Sequence, residues 1–505
     1  MESGQLGSSS EVILVGPSGV ARNKKEGKMR TKFAMLLAIA AVCVTTAWAG
    51  WGPEQQVTTN SRNVNFLGFP NGHRVVVATD GVRHLVFQGY YKRYYPGPGW
   101  TPDLANQVGV RPSIALDADG TTIHVVWQGS VGKGKSATNH VFYQKCVPGS
   151  SGNGGWVGTP RDITPNGHGC NVPTVACYQG HVVVAWHELQ TDTLGFCESV
   201  NGIWVAPRYF HDPSGTGGDV WNPSITVDPQ DRYGDVFIAV HVLPPDGSSP
   251  VYVIRRHGGL WLDPENATAN ASTDCYMPCI EVNSSTGYPH FVFENYGHDI
   301  YHTYWNPDLG GWQPLELISD PSVPYSRSPN MFFSGSSAFV VWAETSSSSG
   351  RGVRYSVRDP GAGTWSLPAW VSSGYYDEYP SVTARSNGDV YVVWKDGRGG
   401  IWGRLYTPGS FGGQAEPIAT SRPGVNLYPN PARAGRVTVQ YSLPHAEPVR
   451  VTVLDVSGRA VRTQEIPATD RSGSFSVDVS GLNAGVYILK LESGTNNQTR
   501  KLVIH

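Results

Sequence analysis

The stretch Arg111-Pro-Ser-Ile-Ala-Leu-Asp-Ala-Asp-Gly-Thr-Thr-Ile-His-Val-Val-Trp127 decides the fold. It holds an apolar strand led by Pro, a turn, and a second apolar strand that ends in an aromatic ring. Asp119-Gly120 in the turn suits a tight hairpin, because both residues tolerate the left-handed backbone such turns require. The pattern returns as Asn222-Pro-Ser-Ile-Thr-Val-Asp-Pro and as Tyr379-Pro-Ser-Val-Thr-Ala. Its Pro recurs at 112, 173, 223, 278, 329 and 380, and a copy without Pro begins near His73. The second strand ends at Trp127, Trp186, Phe293, Trp342 and Trp394, with Phe87 and Val240 holding that place in the remaining copies.

A third strand follows in each copy, as in residues 140–145, 251–256 and 352–357, and then a Gly-rich turn and a Trp. That Trp recurs at 51, 100, 156, 204, 261, 312 and 365, about 50 residues apart. Four short strands per unit and seven units predict a seven-bladed β-propeller over residues 50–406. A blade cannot bury both faces alone, so blades stack in a ring and the recurring Trp is expected between neighbours. Trp51 precedes any inner strand, and the last inner strands near 381–394 have no Trp strand after them. Residues 51–58 are therefore expected to complete the seventh blade, with Phe411–Ile418 as the competing segment. Closure matters because an open ring exposes two sheet edges.

Composition agrees with an all-β chain. Among 505 residues there are 60 Gly, 37 Pro, 16 Trp and 24 Tyr, and only 15% are charged. This excludes a coiled coil and argues against disorder. A net charge of -2 gives no reason to expect nucleic acid as a partner. Lys28, Arg30 and Lys32 precede an apolar run, residues 33–44, and then Ala47-Trp48-Ala49. This predicts a secretory signal peptide over 29–49. Residues 1–28 do not fit it and are expected to be an untranslated or disordered extension, with Met29 as the start. Twelve apolar residues are too few to cross a bilayer, so no transmembrane anchor is expected in the mature chain. Cys43 leaves with the signal. Cys146, Cys170, Cys177, Cys197, Cys275 and Cys279 remain, an even count in an exported chain, and permit up to three disulfides.

Several units resemble the Asp-box repeats of sialidase-like propellers. Ser356-Val-Arg-Asp359-Pro-Gly361-Ala-Gly-Thr364-Trp365 comes near the pattern with shifted spacing, and Asn306-Pro-Asp308-Leu-Gly310-Gly-Trp312 is a shorter relative. In that family the Asp-box steadies a turn remote from the active site, so the resemblance bears on fold. A sialidase is expected to converge three Arg on a substrate carboxylate, beside a Tyr–Glu pair and an acidic Asp. The family's Phe/Tyr-Arg-Ile-Pro opening is absent here. Arg111 and Arg327 stand near the starts of inner strands, but the matching places elsewhere hold Val172, Asn222, Met277 and Tyr379.

Residues just after the second strand are expected to reach one face of the ring. They include His187, Glu188, Glu294, Glu344 and Asp396, and with Arg111, Arg327 and Tyr379 they are the candidate ligand-binding set. A pair of carboxylates 5–10 Å apart would suit glycoside cleavage. The plainer alternative is that these short acidic chains bond loop amides. The Tyr runs 90–95 and 375–379 suit sugar stacking or protein contact. No metal or cofactor is expected: Asp117-Ala-Asp119-Gly120 lacks the distal Glu of a calcium loop, and His187-Glu188 has no second His at zincin spacing.

Residues 407–424 are rich in turn formers and read as a linker. Beyond them, alternating strands over 425–505 predict a small Ig-like β-sandwich, with a hairpin turn at 455–458. Its Tyr428-Pro-Asn-Pro431, the pair Val449–Val461 around Asp455 and Gly458-Arg459, Gly485-Val-Tyr-Ile-Leu, and the terminal Lys501-Leu-Val-Ile resemble the type A sorting domain of the type IX secretion system. That resemblance implies type IX machinery as a partner and export across both membranes of a Gram-negative bacterium, to the surface or the medium. The expected function is a glycan- or protein-binding module. A sialidase-type exo-glycosidase and a structural surface role are the alternatives.

Overall fold

The computed structural model describes residues 50–504, except 59–70, 149–154, 229–234, 347–349, 408–423, 429–431, 443–447, 467–471 and gaps of one or two residues. The expected signal peptide, the 1–28 extension, Cys43, the Phe411–Ile418 segment and nearly all of the linker lie outside the described residues. Among the described residues the chain is built from strands, with a single 3-10 turn at Pro307–Leu309.

Among the described residues, seven antiparallel sheets make up the N-terminal part, each with four main strands. The fifth blade is typical: Cys275–Asn283 lies innermost, then Tyr288–Asn295, Ile300–Asn306 and Gly311–Trp312. In the seventh blade Glu378–Ala384, Val390–Lys395 and Ile401–Thr407 are followed outward by the N-terminal strand Gly50–Trp51. Trp51 pairs with Tyr406 and Gly50 with Thr407. The strand Gly50–Trp51 therefore completes the seventh blade, as the missing seventh Trp strand requires.

Inner strands are stitched by side chains. The Ser224 hydroxyl accepts from the Ile280 N–H at 3.1 Å, and Asn330 Oδ1 from the Val382 N–H at 2.9 Å. Ser381 Oγ accepts from the Arg74 N–H at 3.0 Å, joining the last blade to the first. These acceptors occupy the position after the recurring Pro, which explains the small polar residue there. Arg74 holds the matching place in the first blade and is fully buried, with desolvation drawing its pKa down to about 9. Asn71 crosses the axis to the Val172 and Pro223 carbonyls, at 3.1 and 2.8 Å.

The outer Trp residues are wedges. Trp156 meets Tyr91 of the preceding blade edge-on at 4.9 Å, Trp204 meets Tyr143 at 4.6 Å, and Trp261 meets Phe196 at 5.0 Å. Trp51 does the same to Tyr355, at 5.2 Å. Edge-to-face pairs of this kind add to area burial.

One feature departs from the sequence reading. The residue before each recurring Pro does not begin the inner strand but forms a bulge within it. Arg111, Val172, Asn222, Met277, Ser328 and Tyr379 all take left-handed φ angles, between 46 and 55°. The register between the inner strand and the second strand shifts at the same point in all six blades. Non-glycine residues hold such angles only when their surroundings impose them.

The expected disulfides are corrected. Cys146, Cys170, Cys177, Cys197, Cys275 and Cys279 are free thiols. Each sulfur is occupied by packing or by a polar neighbour. Cys146 accepts from Arg93 at 3.2 Å beside Trp156, and Cys279 accepts from the Met331 N–H at 3.4 Å beside Trp342. Burial pushes Cys170, Cys197, Cys275 and Cys279 up to about 12, which suppresses the thiolate needed for exchange.

The C-terminal part has a three-stranded and a four-stranded sheet around one core that includes Val437, Val451, Leu489, Leu502 and Ile504. Its turn is built as expected: the Gly458 N–H reaches the Asp455 carbonyl at 2.9 Å, with Gly458 at φ 82°.

Two outcomes follow from this architecture. Trp51→Ala removes the closing wedge and should cost about 2 kcal/mol or more, read from urea unfolding. The chain should also weaken in mild acid. Burial lowers His84 to about 3 and His241 to about 4, and lowers His290 and His302 as well. An unfolded His takes a proton near pH 6.5. Below that pH the unfolded state binds protons that the folded state refuses, so stability should be full above about 6.5 and fall toward pH 4. Thermal midpoints measured across that range check it, and a flat profile would contradict it.

Candidate functional site

The upper face of the ring is the end where inner strands begin and where the second strand turns into the third. At this rim the residue after the second strand's aromatic position reaches toward the next blade in the third, fourth and fifth blades. His187 packs on Trp221, with ring centroids 4.6 Å apart, and His241 meets Tyr276 at 5.1 Å. Glu294 reaches the sixth blade, where its Oε2 accepts from the Ser328 N–H at 3.2 Å. The seams between blades thus continue into the face.

Three of the expected carboxylates are consumed below the surface. Glu188 is fully buried and accepts from the Trp186 indole N–H at 3.2 Å and the Cys170 thiol at 3.4 Å. Asp396 is buried and accepts from the Trp394 indole at 3.2 Å and from Arg398 at 2.6 and 2.8 Å. Glu344 is buried against Arg354 at 2.9 Å, and the Arg354 guanidinium lies 3.8 Å over Trp370. The plain reading of these residues, as fasteners of the loop and seam, describes their geometry. His187 is fully buried, and desolvation lowers its pKa. Arg111 stands on the second blade, at its inner-strand bulge, where burial lowers its pKa.

Glu294 and Arg327 do come together, through one residue that sequence reading passed over, His298. The turn at 296–299 puts His298 in a left-handed conformation, φ 59°. Its Nδ1 lies 2.8 Å from Glu294 Oε1, and Arg327 Nη2 lies 3.1 Å from its Nε2. Arg327 has no acceptor, so His298 Nε2 must accept and Nδ1–H must donate to the carboxylate. Both imidazole nitrogens are therefore committed. Burial raises the Glu294 pKa, while His298, Ser328 N–H and Arg327 act against the rise. The Arg327 guanidinium lies 5.0 Å over the Tyr325 ring, and its side chain is 51% exposed.

Tyr325 and Tyr296 flank this cluster, and Tyr376 lies three residues before Tyr379 of the neighbouring blade. Tyr325 is 42% exposed, Tyr296 68% and Tyr376 65%. Tyr379 stands at the seventh-blade bulge with the Lys395 ammonium 6.0 Å from its ring. Burial and Glu378 raise its hydroxyl pKa, with Lys395 and Arg327 acting the other way. The other Tyr run is packing: Tyr91 is buried in the seam with Cys146 and Arg93. Gly297 and a His inside a short hairpin were the available signal for His298, but such a pair is common in turns. Asp117 and Asp119 are hairpin residues that accept from the Gly180 and Thr122 amides.

Residues 426–505 match the secretion system C-terminal sorting domain. This tail indicates export by type IX secretion, to the cell surface or the medium. No helix among the described residues is long and apolar enough to cross a membrane. The sequence matches no curated protein. Similar solved structures include a fungal alcohol oxidase of the AA5 family in complex with copper, at 14% identity and TM-score 0.45, covering 90% of this chain and 99% of that one. A protein of unknown function from Dyadobacter fermentans shares 11% identity at TM-score 0.43, with 70% and 98% covered. A Hadza microbial sialidase shares 13% at TM-score 0.39, with 59% and 65% covered. Likeness this distant says nothing about chemistry.

Truncation separates fasteners from face. Glu344→Ala strands Arg354 in the interior and should cost about 3–5 kcal/mol in urea unfolding. Arg327→Ala, at a half-exposed position, should stay within about 0.5 kcal/mol. Equal losses would place Arg327 among the fasteners.

Proposed function

We propose that this chain is an exported surface or secreted propeller whose upper face binds a glycan or a protein. The observation that carries the reading is the division of labour on that face. Glu188, Glu344 and Asp396 are buried and engaged, so they are not offered as a pair of catalytic carboxylates. Tyr296, Tyr325, Tyr376 and Arg327 are exposed instead. Tyr offers a large amphipathic surface at low entropic cost, and Arg offers a planar fork of donors. Both are favoured at recognition surfaces and neither is a nucleophile here.

Sialidase-type cleavage is the reading set aside. It calls for a trio of Arg, and the bulge positions that match Arg111 hold Val172, Asn222, Met277, Ser328 and Tyr379. The Glu294–His298 pair has the residue types of acid–base work. Both imidazole nitrogens are committed, however, which makes His298 a positioning residue for Arg327.

The test incubates the full chain with a broad glycan panel that includes sialylated members, and follows bound and cleaved species together by mass spectrometry. Binding without release of monosaccharide is expected, with Arg327→Ala and Tyr325→Ala each weakening it by about tenfold. Release of a terminal sugar would overturn the reading in favour of hydrolysis. If no glycan binds, the same two variants are compared for capture of outer-surface proteins of the host cell, where equal capture would overturn the assignment of the face.

A further inference from the structure

The opposite, lower end of the strands carries a cavity of about 520 Å3 between the fourth and fifth blades. This falls within the range of small-molecule sites, about 300–1,000 Å3. Its walls include Asp228, Asp235, Arg255, His257, Tyr288 and Trp305. They come from the first hairpin and third strand of the fourth blade and the matching parts of the fifth. This pocket is far from Glu294 and His298, which sit at the other end of the same fifth-blade strand.

The groups are held ready. The Arg255 guanidinium lies 4.1 Å over the Trp305 ring, which fixes both planes in the wall. Arg255 Nε is buried and has no hydrogen-bond partner among the described residues. A buried, unsatisfied donor on a pocket wall is costly unless something accepts from it. Asp235 is aimed by two donors, His257 Nδ1 at 2.7 Å and the Gly258 N–H at 3.2 Å. Tyr288 stands edge-on to Trp305 at 6.4 Å, with its hydroxyl anchored on Asp308 at 3.1 Å. Gly287, at φ 74°, brings its backbone close to Asp228, whose Oδ2 would lie 3.8 Å from a Cβ there.

The chemistry of the walls selects a ligand class. No Leu, Ile, Val or Met lines the pocket among the described residues, so an aliphatic peptide anchor has little to pack against. Two carboxylates disfavour a phosphate or an acidic sugar, and Arg255 with His257 disfavours a cation. Aromatic edges combined with carboxylate and guanidinium groups match a neutral polyhydroxylated ring. Its C–H face lies on the rings, and its vicinal hydroxyls meet planar, two-atom hydrogen-bonding groups. We propose that this lower-face pocket is a binding site for a neutral saccharide, separate from the upper face and standing without it.

The test is affinity electrophoresis of the full chain in native gels containing dextran, mannan, xyloglucan or laminarin, with polygalacturonate as the acidic comparison. Retardation by at least one neutral polysaccharide is expected. Asp228→Asn, which keeps the side-chain shape, and Trp305→Ala should each raise the dissociation constant about tenfold or more. Arg327→Ala should leave it unchanged. No retardation in any neutral gel overturns the proposal, as does retardation by polygalacturonate alone. Loss in Arg327→Ala with no change in Asp228→Asn also overturns it, and would credit the upper face instead.

Discussion

The structure depends on the seam between blades. A four-stranded sheet has two apolar faces, and neither can be left to water. Here Trp156, Trp204, Trp261 and Trp51 each lean on an aromatic ring of the blade before, Tyr91, Tyr143, Phe196 and Tyr355 in turn. Near the axis, Ser113, Ser224, Cys279, Asn330 and Ser381, each just after the recurring Pro, give an oxygen or sulfur to the next blade's backbone. The two devices act at opposite ends of each sheet, so a blade is clamped at rim and axis. Only a closed ring satisfies all of them. The N-terminal strand beside Ile401–Thr407 is the piece that closes it.

The same constraint governs where chemistry can appear. A seam that is apolar in the middle must still satisfy its polar ends, and many of this chain's ionisable groups serve there. His181, Glu198 and Arg256 join the third and fourth blades, and His302, Glu316 and Arg358 join the fifth and sixth. In both networks the carboxylate is drawn down to about 2 by its cationic and imidazole partners. Such groups hold blades in register and are lost to function. What remains for recognition lies past the seam ends, on turns such as 296–299 and on the residues just before the bulges.

This explains what could and could not be read from the residues alone. Strand count, the Trp wedge and the N-terminal closure follow from spacing, because they repeat and because closure demands one more strand. The bulge did not follow, since a residue before Pro ordinarily favours extended backbone. The disulfides failed for a related reason. An even cysteine count speaks of compartment, whereas the alternation of strands sends Cys146 and Cys279 into different seams. His298 was invisible because its role is set by two partners from separate blades.

The acidic residues carry a sharper lesson. Glu188 and Asp396 each follow a Trp by two positions, so both side chains leave the same face of the strand end. That spacing lets the indole N–H reach the carboxylate, as it does at 3.2 Å in both cases. A Trp-x-Asp/Glu ending on the second strand therefore argues for a carboxylate turned inward. Glu294 follows Phe293 directly and has no indole to hold it. It is turned instead toward His298 and Arg327, at the one place where the candidate residues meet. The spacing that turns Glu188 and Asp396 inward is thus missing at Glu294, which leaves its carboxylate for the turn.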